Sequence, residues 1–136
     1  MAEITSIDIT KNPGYGCSSF MFQEKIKLTA HAIEYKLIPH MHNKRDAESY
    51  WKYQSDGEYF RDLVKEAFDE LGKLVLLDDN KDCCDIGSME FVITYSDKTK
   101  FKKTFWRPPT DFSSGLMVIR NLVPHTEQMP RFLECL

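Results

Sequence analysis

The chain has 136 residues with a formal net charge of −3, and 42% of these residues are hydrophobic and 29% charged. This composition is typical of one globular domain with its own core, and it argues against disorder. The acidic balance provides no overall field that would attract nucleic acid or an anionic membrane, and no apolar run approaches the roughly 20 residues of a membrane-spanning helix.

The first half of the chain predicts four β-strands. Residues 3–10 alternate between apolar and polar side chains, which is typical of a strand with one buried face. Residues 18–26 follow a turn rich in glycine and proline and predict an antiparallel partner. Residues 27–38 are rich in β-branched and apolar types up to Pro39 and predict a third strand. Three aromatic residues in 48–54 favour a fourth strand.

The clearest predicted element is an α-helix after residue 55. Its apolar side chains recur at one helical face, at Phe60, Leu63, Val64, Ala67, Phe68 and Leu71. The spacing of Ser55 and Glu58 predicts a capping box at the start of this helix. Asp69 and Lys73 are spaced for an ion pair, and Gly72 is placed for a left-handed C-terminal residue.

The second half predicts a β-hairpin and a second helix. Residues 89–96 and 99–106 form two strand-like runs joined by the turn sequence SDKT. The segment 111–123 has apolar residues at helical spacing and is stopped by Pro124. A short terminal turn is expected at Pro130, because proline is tolerated in a first helical turn.

These elements predict a single α+β domain over residues 1–136. The expected order is ββββ-α-ββ-α, with a mainly antiparallel sheet of about six strands and two helices packed on one face. The opening MAEITSIDIT lacks the charged start and apolar stretch of a signal peptide. We therefore expect a soluble cytoplasmic protein whose cysteines are reduced.

The acidic segment LDDNKDCCDIGSMEF, residues 77–91, raises the question of a calcium or redox site. An EF-hand loop starting at Asp78 would need glycine where Cys83 stands and glutamate where Met89 stands. A disulfide between Cys83 and Cys84 would be strained, because adjacent Cα atoms lie closer than disulfides prefer. We interpret the segment as a solvated loop, with an irregular calcium site as the alternative.

Two histidines after Pro39 are the best metal-ligand candidates. His40 and His42 would point to the same side of an extended chain, and Asp46 or Glu48 would be a third zinc ligand. A metal-dependent enzyme built on these residues is therefore one alternative function. Surface histidines in a loop explain the pattern more simply, and we expect no cofactor. His31 is expected to be a structural histidine within the third strand.

The basic run DKTKFKKTFWR suggests a second alternative, binding of single-stranded nucleic acid through residues 98–107. Lysines and an aromatic ring on one strand face, here Lys100, Lys102 and Trp106, can follow a phosphate backbone and stack a base. The same lysines would also protect an edge strand from pairing with another chain. The acidic total favours this second interpretation, so we do not expect nucleic acid as the partner.

No catalytic constellation stands out, and we therefore favour a non-enzymatic binding or regulatory module that acts through protein contacts. Tyrosine, tryptophan and arginine dominate interface hot spots, so the candidate contact residues are Trp51, Tyr53, Trp106 and Arg107. The expected partner is a protein, and a second copy of the chain is one candidate.

Overall fold

The computed structural model of the protein describes residues 3–13, 21–76, 88–105 and 113–134. Six strands form one antiparallel sheet: β1 (Ile4–Asn12), β2 (Phe22–Thr29), β3 (Ala32–Pro39), β4 (Ser49–Gln54), β5 (Ser88–Tyr95) and β6 (Lys100–Phe105). Their order across the sheet is β4-β3-β2-β1-β5-β6, so β4 and β6 are its two edges.

The helices pack against one face of this sheet, which we call the helix face. They are α1 (Glu58–Gly72), α2 (Ser113–Leu122) and the short α3 (Arg131–Glu134). A 3₁₀ turn, Lys73–Leu76, continues directly from α1. The predicted α+β class and the order ββββ-α-ββ-α are confirmed, with α3 as a small addition at the position expected near Pro130.

The core lies between the helix face and the two longer helices. Alternate strand residues point into it, among them Ile7, Ile9, Ile26, Leu28, Tyr35, Phe91 and Phe105. The predicted stripe on α1 supplies the other side, since Phe60, Val64, Ala67, Phe68 and Leu71 are all buried. None of the helices in the described ranges is long and apolar enough to span a membrane.

The boundary predicted between the second and third strands is wrong. The sequence suggested a break after residue 26, but β2 runs on to Thr29 and the chain turns at Ala30 and His31. Even-numbered residues of β2 point inward, whereas odd-numbered residues of β3 do so. The turn reverses this phase in a segment with no glycine or proline, so composition hides it. His31 is consequently an exposed turn residue and not a structural histidine within a strand.

The predicted ends of α1 are also wrong in detail. The N-cap is Gly57 with no side-chain capping bond, because the Ser55 hydroxyl instead accepts a hydrogen bond from the Gly57 amide at 3.1 Å. Gly72 is the last residue of α1, and the cap that follows, Lys73, keeps a right-handed helical backbone. Lys73 pairs with Glu70, at 3.3 Å, and not with Asp69.

Candidate protein-binding site

A groove lies where the edge strand β4 meets the start of α1 and the end of α2. We call it the aromatic groove, and it encloses about 540 Å³. Its walls include Tyr53, Tyr59, Phe60, Leu63, Val123 and Pro124. A volume of this size lies within the range of natural ligand sites, so the groove has room for large apolar side chains.

Two tyrosines of the groove are exposed to solvent. Tyr59 stands on the outer side of the first turn of α1 with 77% of its surface exposed, and Tyr53 is 41% exposed. The ring of Tyr53 lies 5.6 Å from that of Phe60, which is buried beneath it. A firm apolar floor with exposed aromatic rings above it has the composition of an interface hot spot.

Trp51 is a core residue, so the prediction that it belongs to an exposed contact surface is wrong. It is only 6% exposed, and its ring stacks on Tyr35 with 5.7 Å between centroids. Its indole N–H donates to the carbonyl of Gln128 at 2.8 Å. Because side chains alternate along a strand, Trp51 and Tyr53 both lie on the face of the sheet that packs against the helices. Trp51 is buried beneath the C-terminal segment near Gln128, whereas Tyr53 lies beyond the part of the strand that this segment covers.

The outer edge of β4 pairs with no other strand among the described residues. Its single lysine, Lys52, forms an ion pair with Glu34 of β3 at 3.3 Å. Natural edge strands are usually protected by several charges, by proline or by a bulge. The run SYWKYQ of β4 carries three aromatic residues and one lysine. Within the described residues, the backbone groups on the outer edge of β4 therefore have no strand partner beside the aromatic groove.

A buried polar network holds the C-terminal segment at Arg131 and Phe132, which follows the groove residues Val123 and Pro124 along the chain. Glu24, 1% exposed, accepts hydrogen bonds from the Tyr35 hydroxyl at 2.5 Å and the Arg131 amide at 2.8 Å through one carboxylate oxygen. Its other oxygen accepts from the Phe132 amide at 3.1 Å. Because each oxygen already has a donor, Glu24 anchors structure and has the features of a capping carboxylate.

The Arg131 side chain adds a second attachment on the same side. It donates to Asp46 at 2.7 Å and lies 4.6 Å from the ring centre of Phe22. Asp46 also accepts from the Asn43 amide group at 2.9 Å. The hydrogen bond from Arg131, followed by that from Asn43, lowers the pKa of Asp46 below its usual value. The same hydrogen bond, donated by Arg131 to Asp46, raises the pKa of Arg131.

The two histidines proposed as metal ligands lie side by side in an exposed loop. The rings of His40 and His42 are 5.3 Å apart, and the His42 amide donates to Nδ1 of His40 at 3.1 Å. The carboxylates expected to complete the site are already engaged, since Asp46 binds Arg131 and Glu48 lies 3.8 Å from Lys36. In the described ranges no group of three His, Cys, Asp or Glu residues is arranged to hold a metal.

The remaining predicted positions divide into two groups. Lys100 and Lys102 lie on β6 with exposed side chains on the sheet face opposite the helices, and Lys102 is 3.5 Å from Glu90. Trp106 and Arg107, and the acidic segment from 77 to 87, lie outside the described residues.

Comparison with known protein families found no matching family model. Comparisons with curated proteins and with solved structures found no match either. Function must therefore be inferred from the residues of this chain and their arrangement.

Sequence reasoning missed two features of this region, and each has a recognisable signal. Tyr59 is an aromatic residue outside the apolar stripe of α1, which marks it as an exposed ring on a helix. Glu24 has the same strand parity as Ile26 and Leu28, so alternation alone places a carboxylate in the core. Two of the partners of Glu24, the amides of Arg131 and Phe132, lie more than 100 residues away, and only the fold brings them there.

Proposed function

We propose that the protein is a non-enzymatic binding module whose contact site is the aromatic groove together with the outer edge of β4. The observation that carries this proposal is the pair of exposed tyrosines, Tyr53 and Tyr59, above an apolar floor. They lie next to the outer edge of β4, which has no strand partner among the described residues. Extended peptides bind exposed sheet edges by adding a strand, and neighbouring pockets then select their side chains.

The favoured partner is an extended protein segment. β4 has six residues, so a segment of similar length would pair with its whole edge. Main-chain hydrogen bonds would supply affinity, and one large apolar side chain of the segment would enter the groove beside Tyr53. A second copy of the chain, paired through its own β4, is the competing occupant.

Peptides selected from a random library against the purified protein test this function. We expect the selected peptides to share a large apolar side chain and to protect the amides of β4 from hydrogen exchange. The substitutions Tyr53→Ala and Tyr59→Ala should each weaken peptide binding at least tenfold, about 1.4 kcal/mol.

Tyr50→Ala is the matched control, because Tyr50 is an exposed tyrosine of the same strand that points to the opposite sheet face. Peptide affinity should change less than twofold in this variant. Equal affinity of the wild type, Tyr53→Ala and Tyr59→Ala would exclude the groove as the contact site. A dimer mass in light scattering that disappears on adding peptide would identify the second copy as an occupant of the same edge.

A further inference from the structure

The sheet face opposite the helices, which we call the open face, is positively charged although the whole chain is acidic. Every strand residue of the apolar core cluster lies on the helix face. The open face carries three carboxylates, Asp8, Glu34 and Glu90, and six lysines, Lys25, Lys27, Lys36, Lys52, Lys100 and Lys102. These strand residues have an excess of three positive charges, which Glu48 beside Lys36 reduces to two, on a chain whose formal net charge is −3.

In one row of the open face, positively and negatively charged side chains alternate. Lys52, Glu34, Lys27 and Asp8 face one another in this order across β4, β3, β2 and β1. We call this set the alternating row, because neighbouring charges have opposite signs. Opposite charges directly across an antiparallel pair stabilise it. Of the two lysines in this row, Lys52 forms an ion pair with Glu34 at 3.3 Å, and Lys27 has a carboxylate residue directly opposite it on each neighbouring strand.

The next row has a different pattern. It runs Tyr50, Lys36, Lys25 and Thr10, and we call it the lysine row. Lys25 and Lys36 face each other directly, an arrangement that destabilises a strand pair. Lys36 has a weak exposed contact with Glu48 at 3.8 Å. Lys25 has no ion pair with any residue in the described part of the chain.

A shallow depression of about 330 Å³ lies over these two rows. Lys25, Lys36, Thr10 and Tyr50 line it on the lysine row, and all four side chains can donate hydrogen bonds. Asp8, Lys27 and Glu34 line it on the alternating row. Tyr50 is 61% exposed, so its side chain is accessible to a ligand that could stack on the ring. The row thus places hydrogen-bond donors with positive charge next to an exposed aromatic ring.

We propose that the lysine row binds a nucleotide, with the phosphate between Lys25 and Lys36 and the base against Tyr50. An anion between these lysines would relieve their mutual repulsion. Adjacent strands lie about 4.8 Å apart, so the strand of Tyr50 is about 7 Å from the midpoint of β2 and β3. A sugar phosphate and its planar base can bridge this separation. The site is distinct from the aromatic groove, which lies on the helix face.

Nuclear magnetic resonance titration with adenosine monophosphate at low salt tests the proposal, with adenosine and inorganic phosphate as partial ligands. We expect shifts centred on Lys25, Lys36 and Tyr50. The double substitution Lys25→Gln/Lys36→Gln should weaken binding at least tenfold. Tyr50→Ala should weaken nucleotide binding but leave the weaker phosphate binding within twofold, because the ring contacts only the base.

The matched control is Lys27→Gln/Lys52→Gln, which removes the same charge from the alternating row of the same face. It should change nucleotide affinity less than threefold. An equal loss in the two double variants would show that binding depends on general charge alone and would overturn the proposal. Absence of any shift at millimolar nucleotide would overturn it as well.

A single-stranded DNA of ten nucleotides distinguishes a free nucleotide from a nucleotide that is part of a strand. If the ligand is part of a strand, the oligonucleotide should bind at least tenfold more tightly than the mononucleotide, and its affinity should fall steeply with salt. That gain should disappear in Lys100→Gln/Lys102→Gln, whose side chains extend the same face along β6. Equal affinity for strand and mononucleotide would identify a free nucleotide as the ligand.

Discussion

The two edges of the sheet differ in how they resist pairing with another chain. β6 has three lysines among its six residues, at Lys100, Lys102 and Lys103. β4 has three aromatic residues and a single lysine, which is already held by Glu34. Lysines on an edge strand disfavour strand addition, because pairing would bury their charge. In the part of the chain that the structure describes, one edge thus carries several lysines, whereas the other has no strand partner and lies beside an apolar groove. This difference is why we place the proposed contact site at β4.

The largest expected effect is on the free energy of unfolding, when the β4 residue Trp51 is replaced. Trp51→Ala should lower the free energy of unfolding by about 3–5 kcal/mol, because it removes a buried aromatic ring from the core. It also removes the hydrogen bond to Gln128 that ties β4 to the C-terminal segment. Urea denaturation measures the change. Tyr50→Ala on the same strand should shift stability by no more than about 0.5 kcal/mol, and a similar loss in both variants would contradict the core role of Trp51.

The next largest effect is on the stability of the C-terminal segment that Glu24 holds at Arg131 and Phe132. Glu24→Gln should cost about 1–3 kcal/mol, because an amide places donors where two backbone N–H groups and the Tyr35 hydroxyl need acceptors. Relative to the wild type, the substitution should accelerate hydrogen exchange more in α3 and β4 than in β6. Uniform acceleration at the two edges would show that Glu24 supports the whole sheet and not one side of it.

Removing the protection of β6 should change association more than stability. Lys100→Thr/Lys102→Thr keeps strand propensity, and each change should alter the unfolding free energy by less than about 0.5 kcal/mol. We expect the variant to self-associate at concentrations where the wild type does not, because β6 loses its charged edge. Sedimentation velocity provides the measurement. An unchanged sedimentation profile would mean that these lysines do not protect the edge.

The smallest expected effect is a decrease in stability at acid pH that depends on the ionisation of Asp46. The pKa of Asp46 is lowered by Arg131 and Asn43, so its contribution to stability is present above the ordinary value of 3.8 and is lost as the pH falls through the lowered pKa. Asp46→Asn should reduce stability at pH 7 and flatten its decline in acid. Thermal unfolding between pH 7 and pH 2 compares the two proteins. Parallel pH curves would exclude Asp46 as the titrating group.

Features that depend on local patterning could be predicted from the sequence. The stripe from Phe60 to Leu71 predicts α1 and its buried face, because helical period and apolar spacing are properties of a continuous segment. The β5–β6 hairpin follows for the same reason, and in its turn the Tyr95 amide donates to the Thr99 carbonyl and the Lys98 amide donates to the Tyr95 carbonyl. Lys98 adopts the positive φ of 70° in this turn.

Features that depend on distant partners could not be predicted. Trp51 and Tyr53 have the same parity and similar chemistry, yet one is buried beneath residues near 128 and the other is exposed. The facing of Lys25 and Lys36 depends on the register of β2 against β3, which a two-residue turn sets. A one-residue error in that turn reverses every side chain of the strand.

The sequence by itself determined the α+β class, the helix α1 and the antiparallel order of the elements, because alternation and helical spacing are encoded in neighbouring residues. Only the tertiary structure decided which aromatic residues are exposed, which strands are edges and which lysines face each other. These properties arise when segments far apart in sequence are brought together, as Glu24 and Arg131 are. Burial and register are relations between such segments, so no single stretch of the chain contains them.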